Sequence, residues 1–582
     1  MTDSPLLPLK GALAPARQLG LTLWPALLTS LIRLRPGQIA RHTLLSYWRR
    51  LDDREAIIAS DKRLSFAQLA ERAVRLANVL KDQGLNRNDS MALLTGNNSL
   101  WFEAMAATSL LGMKMPLINW HLNSAETTAC IRLSGAEALL ISEEHLHKID
   151  ADLRDELSVI LVAGDAPEGM TALEPALTAA HEQLPAGSLT FSPKLFSGGT
   201  TGTPKFIDMD RDRLRQRQST GLAPDRRVLL RLACQLLSVP ALIKMDQVRD
   251  PVSHNIRSLV CSPLYHAGGQ AAAFPVLLGG TVTAMERFDA ESFLQLIDAE
   301  RINWTFVAPT MLERVLALPE EVQQRYNLSS MRVILCSAAP CPAEVKEGIN
   351  RLFRQQGNPG DVFHEFYGSS ESGPVTVLLP EDYADDPTRY HSVGKPRCGD
   401  CRIYDTENNA WAARGDTGKI LLRTPTVYTL AYGGKSEAEM RKHFVEINGE
   451  LWYDDGLAGY MDDAGFLFIT GRDKEMLIVG GVNIYPNEIE FVLKQHPGIL
   501  DAAVIGIPDS DLGEVPAAVV SWRAAVDRAD ETTLIAFCKD KGLYGFKLPR
   551  RVIVTDDLPR DGAGKLRKAD IRRTYFPEAG TD

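Results

Sequence analysis

Apolar residues recur at helical spacing between positions 62 and 84. Phe66, Leu69, Ala70, Ala73, Leu76, Ala77 and Leu80 mark one face of a helix. Ser65 with Gln68 forms a capping-box pair, and Gly84 ends the run. Ser90 to Leu94 then reads as a short buried strand, followed by the turn Gly96-Asn97-Asn98. Short apolar runs return at 139–141, 159–162 and 333–335, each bounded by polar or small residues. Strand alternating with helix through the first 370 residues predicts α/β layers with largely parallel sheets. Residues 208–250 are arginine-rich and irregular, which predicts a surface excursion. From about residue 390 shorter strands and turns take over. After Arg472 the texture changes again. Helices are expected over 484–494 and 531–541, and strands over 502–507 and 517–522. This divides the chain into an N-terminal extension (1–48), a large domain (49–472) and a small α+β domain (473–582), with a hinge near Asp473-Lys474.

Composition narrows the function classes. The chain has 582 residues, is 45% hydrophobic and 24% charged, and carries a net charge of −10. That is ordinary globular composition with ample core material. The acidic balance argues against a general nucleic-acid binder. Eight cysteines are sparse, and Cys398-Gly-Asp-Cys401 is the one CxxC. Without a second pair or histidines at ligand spacing it reads as a loop with two thiols rather than a zinc or redox site. Free thiols fit a reducing, cytoplasmic compartment. No apolar run is long enough to span a bilayer. Gln18 to Ile32 is uncharged and flanked by Arg17 and Arg33, but it holds Pro25 and lacks a signal-peptide cleavage site. Two readings stay open: a helix packed on the protein body, or an interfacial anchor giving peripheral contact with the inner face of a membrane.

The sharpest local chemistry is Ser197-Gly-Gly-Thr-Thr-Gly-Thr-Pro-Lys205. Gly198, Gly199 and Gly202 let backbone N–H groups turn toward an anion. Ser197, Thr200 and Thr201 add hydroxyl donors, and Lys205 adds charge. The spacing is not that of a P-loop, and such a stretch taken alone is as often a flexible linker. It stands with three further blocks. These are Tyr367-Gly-Ser-Ser-Glu371, the segment Gly471 to Glu490, and Leu558-Pro-Arg-Asp-Gly-Ala-Gly-Lys565.

Together these blocks resemble the adenylate-forming superfamily: acyl- and aryl-CoA synthetases, peptide adenylation domains and luciferases. The likeness runs from about residue 50 to 570 and is closest to fatty-acid and other acyl-CoA synthetases. It implies an α/β fold: a large N-terminal domain of layered α/β sheets plus a distorted β-barrel, with a small mobile α+β C-terminal domain. It implies that Ser197 to Lys205 holds the phosphates of ATP, and that Ser337, Ala338 and Ala339 border the adenine. Tyr367 and Gly368 would lie against the base, and Ser370 would meet phosphate. Glu371 would hold Mg2+, for which a hard carboxylate is suited. Arg472 would contact ribose and phosphate, and Lys474 would be the hinge. Gly480 and Gly481 would line the thiol tunnel. Lys565 would approach the α-phosphate, where a cation offsets the repulsion between carboxylate and phosphate. His266, in Pro263-Leu-Tyr-His-Ala-Gly-Gly269, and Gly268 would line the acyl site, with Trp304 to Pro309 as another wall. A lone histidine among apolar residues is otherwise an ordinary core residue.

Three positions depart from the family pattern. Leu457 stands where an aspartate binds the ribose hydroxyls, and leucine accepts no hydrogen bond. Either Asp455, two residues earlier, replaces it through a shifted loop, or ribose affinity is reduced. Phe206 replaces a glycine, and Lys419 stands where Glu is common.

The resemblance implies an acid–thiol ligase using ATP, Mg2+ and coenzyme A on a small-molecule carboxylic acid. Small apolar residues at 267–273 suit a hydrophobic acid, although they equally suit helix packing. Residues 539–573 carry eleven Lys or Arg against five Asp or Glu, a surplus that would favour ATP or CoA phosphates or simply face solvent. The alternatives are an acyl-AMP ligase loading a carrier protein, and a member that binds nucleotide or acid without turnover.

Overall fold

The computed structural model describes residues 36–577 except 192, 198–204, 210–255 (of which 228, 232 and 235 are described), 433–439, 473–474, 476, 480–481, 485, 510–511, 524–525, 544 and 561–565. The N-terminal apolar stretch, the phosphate-loop glycines and threonines, Lys474, Gly480, Gly481 and Lys565 therefore lie outside the described residues, as do the side chains of Ser197, Lys205 and Arg472. So does most of the arginine-rich stretch 208–250. The described Val228, Leu232 and Gln235 there are helical.

The chain divides into two compact units: residues 1–400 with 423–452, and residues 401–422 with 453–582. The first is a layered α/β body. A nine-stranded sheet runs in the order Lys395–Pro396, Gly373–Leu378, Phe363–Ser369, Val333–Cys336, Trp304–Val307, Arg257–Val260, Thr281–Ala284, Glu55–Ile58, Arg63–Ser65. The neighbours from Phe363–Ser369 through Glu55–Ile58 are parallel. A second sheet, Met91–Leu94, Ala138–Ser142, Val159–Ala163 and Thr171–Ala172, is parallel throughout.

Helices Phe66–Asp82 and Ser99–Leu111 share one core with strands of both sheets, including Leu93, Leu140, Val260 and Phe306. That sandwich explains why every residue of Ser99–Leu111 is buried, and why the strands read as continuous apolar runs rather than alternating ones. On the other face of the nine-stranded sheet a separate core gathers Leu259, Val307, Ile334, Ile349 and Phe353. A further sheet, Leu430–Tyr432, Lys205–Met209, Pro193–Ser197 and Met115–Pro116, brackets the phosphate-loop segment with an antiparallel hairpin.

The expected first helix starts at Phe66, not 62. Arg63–Ser65 is spent as an antiparallel strand against Glu55–Ile58, and Ser65 then caps the helix in a full capping box with Gln68. Phe206 finds a structural reason: it pairs across the hairpin with Phe196, ring centroids 5.2 Å apart. Cys398 and Cys401 are both buried, and burial pushes the Cys398 thiol up to about 12, the setting of a packed, unreactive thiol.

A six-stranded sheet runs in the order Ala410–Trp411, Asp400–Asp405, Gly418–Arg423, Glu450–Met461 and Phe444–Ile447, with Leu467–Arg472 paired to Glu450–Met461. The C-terminal α+β fold has the strand order Val482–Ile484, Leu477–Val479, Gly513–Trp522, Ile499–Asp509, with Arg551–Thr555 parallel to Gly513–Trp522. Helices Pro486–Lys494 and Glu531–Asp540 share one core with this sheet. The helix expected from 484 starts at Pro486, because Ile484 closes a hairpin with Leu477. Among the described residues no helix is long and apolar enough to cross a membrane.

Candidate active site

Parallel strands deliver their following loops to one edge of a sheet, and ligands in open α/β sheets gather at that carboxyl edge. Four parallel neighbours of the nine-stranded sheet each lead there into a segment singled out in the sequence. After Arg257–Val260 comes Pro263–Gly269 with His266. After Trp304–Val307 come Ala308 and Pro309, and after Val333–Cys336 comes Ser337 to Ala339. The Phe363–Ser369 strand runs into Ser370 and Glu371. The fold therefore gathers residues spread over more than a hundred positions at one sheet edge.

Ser337 is buried, and its N–H donates to the Val307 carbonyl at 3.2 Å. Ala338 sits at φ +78°, a left-handed conformation uncommon for a residue with a Cβ, while Ala339 is exposed. Tyr367 is buried opposite Thr376, and the register slips between Tyr367 and Gly368. A Cβ on Gly368 would stand 2.1 Å from the Gly373 carbonyl oxygen, so only glycine allows the two backbones to meet. At the tip, Ser369 N–H donates to Ser372 Oγ at 2.9 Å and Ser372 N–H to Ser369 Oγ at 3.1 Å. Thr424 Oγ1 fixes the turn further by donating to the Ser372 carbonyl at 2.6 Å. Ser370 and Glu371 are thus half-exposed at the tip of a locked hairpin.

Among the described residues no group of three His, Cys, Asp or Glu side chains stands together for a metal ion. Glu371 is a single carboxylate. That donor set fits Mg2+, which is commonly held by one or two carboxylates with substrate phosphates and water supplying the remaining oxygens.

His266 is the N-cap residue of helix Ala267–Ala273, and its ring packs on Tyr265 with centroids 4.4 Å apart. The Tyr265 hydroxyl hydrogen-bonds His121 Nδ1 at 2.9 Å, and Trp120 stacks on His121 at 3.6 Å. Burial, with Lys148 and Arg287 nearby, lowers the His121 pKa. Asn97 fastens the loop before His266: its Nδ2 donates to the Ser262 and Met285 carbonyls, each at 3.1 Å, and its Oδ1 accepts from Leu264 N–H at 2.9 Å. In the sequence Asn97 reads only as a turn residue, because its partners lie more than 160 positions away. Gly268 faces the Phe306 ring, where a Cβ would stand 2.1 Å from the nearest carbon. Gly269 is closed off by the Pro263 carbonyl at 2.3 Å in the same sense. These two small residues serve close packing. Phe306 in turn packs on Phe366 at 6.0 Å.

In the second unit, Asp455 lies in a bulge. Lys419 pairs with Ala458, and Leu421 pairs with Asp454. One residue separates the pairs on one strand and three, Asp455, Gly456 and Leu457, on the other. Gly456 takes φ +76° inside it. Lys419 Nζ lies 3.2 Å from Asp454 Oδ2, which gives the departure at 419 a partner. Leu457 itself pairs with Arg472 on the next strand.

Comparison with known proteins agrees with this fold. The family model described as AMP-binding enzyme matches residues 46–430, and that of the AMP-binding enzyme C-terminal domain matches 488–565. A feruloyl-CoA synthase of Amycolatopsis sp is 30% identical over 518 residues, covering 88% of this chain and 94% of that protein. An indoleacetate–CoA ligase of Aromatoleum aromaticum is 31% identical over 528 residues, covering 89% and 94%. The structure of o-succinylbenzoate coenzyme A synthetase from Bacillus subtilis, in complex with ATP and magnesium ion, superposes with a TM-score of 0.70 at 25% identity, covering 90% of this chain and 98% of that one. The chain belongs to the AMP-binding enzyme family of adenylate-forming ligases.

Proposed function

We propose that the protein activates a hydrophobic carboxylic acid with ATP and transfers the acyl group to coenzyme A. The observation that carries this reading is the gathering of Ser337, Tyr367, Glu371 and His266 at one carboxyl edge, with Phe306 and Phe366 in the apolar wall behind them. The relatives named for feruloyl-CoA and indoleacetate make an aromatic acid the first class to try.

A carboxylate is a poor electrophile. In the first step its oxygen attacks the α-phosphorus of ATP, the bond to pyrophosphate breaks, and acyl-AMP forms. In the second step a thiol sulfur attacks the acyl carbonyl, AMP leaves as an anion, and the thiol proton passes to solvent. Ser197 to Lys205 would hold the phosphates, and Lys565 would neutralise charge gathering at the α-phosphate. Ser337, Ala338, Ala339, Tyr367 and Gly368 would seat the adenine. Mg2+, when bound at Glu371, supplies charge neutralisation for the phosphates. His266 would lie beside the acyl carboxylate. Lys474 would be the hinge about which residues 473–582 turn between the two steps, with Gly480 and Gly481 then flanking the incoming thiol. Asp455 and Arg472 would hold the ribose.

A binding protein without turnover is the second reading, favoured by Leu457 at the ribose position. The bulge weighs against it, since it supplies a carboxylate two residues away. The test is product analysis: AMP and an acyl-CoA formed together from ATP, CoA and one member of a panel of aromatic and fatty acids support the ligase. Nucleotide binding with no AMP released from any acid supports the second reading.

A further inference from the structure

Lys346 and Glu365 form an ion pair sealed inside the protein, with side-chain exposures of 1% and 3%. Lys346 Nζ donates to Glu365 Oε2, and at 3.0 Å to the Ser392 carbonyl. It also stands 5.9 Å from the Phe363 ring centroid. A buried pair of this kind contributes little net stability over apolar residues of the same shape, because both charges leave water. What it adds is direction: a charged hydrogen bond has one satisfactory geometry, whereas apolar side chains can slide.

Its position gives that direction a use. Lys346 lies in the first turns of helix Ala343–Gln355, directly after the loop carrying Ser337, Ala338 and Ala339. Glu365 lies two residues before Tyr367, and side chains two apart on a strand share a face. Glu365 also stands opposite Cys336, the residue before Ser337, in the parallel register. One turn along the same helix face, Asn350 Oδ1 accepts the Val362 and Phe363 N–H groups, each at 3.0 Å. The helix thus grips the Phe363–Ser369 strand at its start through Asn350, and beside Tyr367 through Lys346.

We propose that Lys346 and Glu365 are positioning residues that fix the two adenine-bordering segments, Ser337–Ala339 and Tyr367–Glu371, in register with each other, and so set affinity for the nucleotide. This rests on the functional reading above and adds to it a pair outside the nucleotide's own contacts.

The experiment uses the full chain and three variants: Lys346→Met, Glu365→Gln, and the double Lys346→Met/Glu365→Leu. Thermal melting, calorimetric binding of ATP without acid, and KM for ATP and for the acid are measured for each. Either single change strands a buried polar partner and lowers the melting temperature, while the double change restores it. The positioning role is supported if the restored double variant still binds ATP at least five-fold more weakly, with KM for the acid within two-fold of wild type. A double variant with wild-type melting, ATP affinity and KM overturns it and leaves a purely structural pair. If the double variant does not fold, Glu365→Asp decides, because it keeps both charges and shortens the reach. Weaker ATP binding in a folded Glu365→Asp protein supports the role, and unchanged binding overturns it. Wild-type protein that binds no ATP overturns this inference and the functional reading together, whereas variants equal to an active wild type overturn this inference alone.

Discussion

Leu457 pairs with Arg472 across two antiparallel strands, and in the proposed reading it stands where the family resemblance implies a ribose carboxylate, a role leucine cannot fill because it accepts no hydrogen bond. Two residues earlier, inside the bulge opened between the Lys419 and Leu421 pairs, stands Asp455. Bulges re-aim side chains and are common beside active sites.

Asp455→Ala is expected to raise KM for ATP about ten-fold or more, the worth of a hydrogen bond to a charged group at about 1.5–3 kcal/mol. KM for the acid stays near its wild-type value. Steady-state kinetics with each substrate varied in turn checks this, and an unchanged KM for ATP would remove Asp455 from the ribose site.

Gly268 and Phe306 form a second testable pair. An added methyl has no room against the ring. Gly268→Ala is expected to cost about 1–3 kcal/mol, the usual range for overpacking. Phe306→Leu in the same protein should return part of the lost melting temperature. Two losses that simply add would mean the methyl strains something other than Phe306.

His145 gives the pH dependence. It is buried, stacks near Trp120 at 6.1 Å, and lies among Glu144, His147, Lys148 and His121. Burial first, then the nearby positive groups, lowers its pKa to about 4. An unfolded histidine titrates near ~6.5, so below that pH the unfolded chain binds more protons than the folded one. Stability is therefore lost as pH falls from about 6.5 towards 4. The drop in melting temperature from pH 7 to pH 4.5 should be smaller for His145→Asn than for wild type. Equal drops would show that other groups dominate.

Much of this was legible in the chain because it was local. The Ser65–Gln68 capping box, the strand within 90–94 and the motif Tyr367 to Glu371 each announce themselves within a few residues, whereas the hairpin that carries the last is seen only in the fold. Helix Ser99–Leu111 is buried on every side, and periodicity cannot mark a helix without a solvent-facing polar face. Helix Pro36–Leu51 leaves no clear periodic signal because its apolar positions are diluted by Arg41, His42, Arg49 and Arg50, although Trp48 is fully buried. The smallness of Gly268 and Gly269 is compatible with either a pocket or packing, and their close approach to Phe306 and Pro263 becomes visible only in the fold. Asn97 with Leu264, and Tyr265 with His121, meet only through the fold. No spacing along the chain announces them.

The most direct test of adenylation is ATP–pyrophosphate exchange with a panel of aromatic, fatty and polycyclic acids, run beside Lys565→Ala. Exchange is expected with one class of acid, falling by about 100-fold or more when the cation is removed. Adding CoA should then convert the same acid to its thioester. No exchange with any acid, from folded protein that still binds ATP, would contradict the ligase reading.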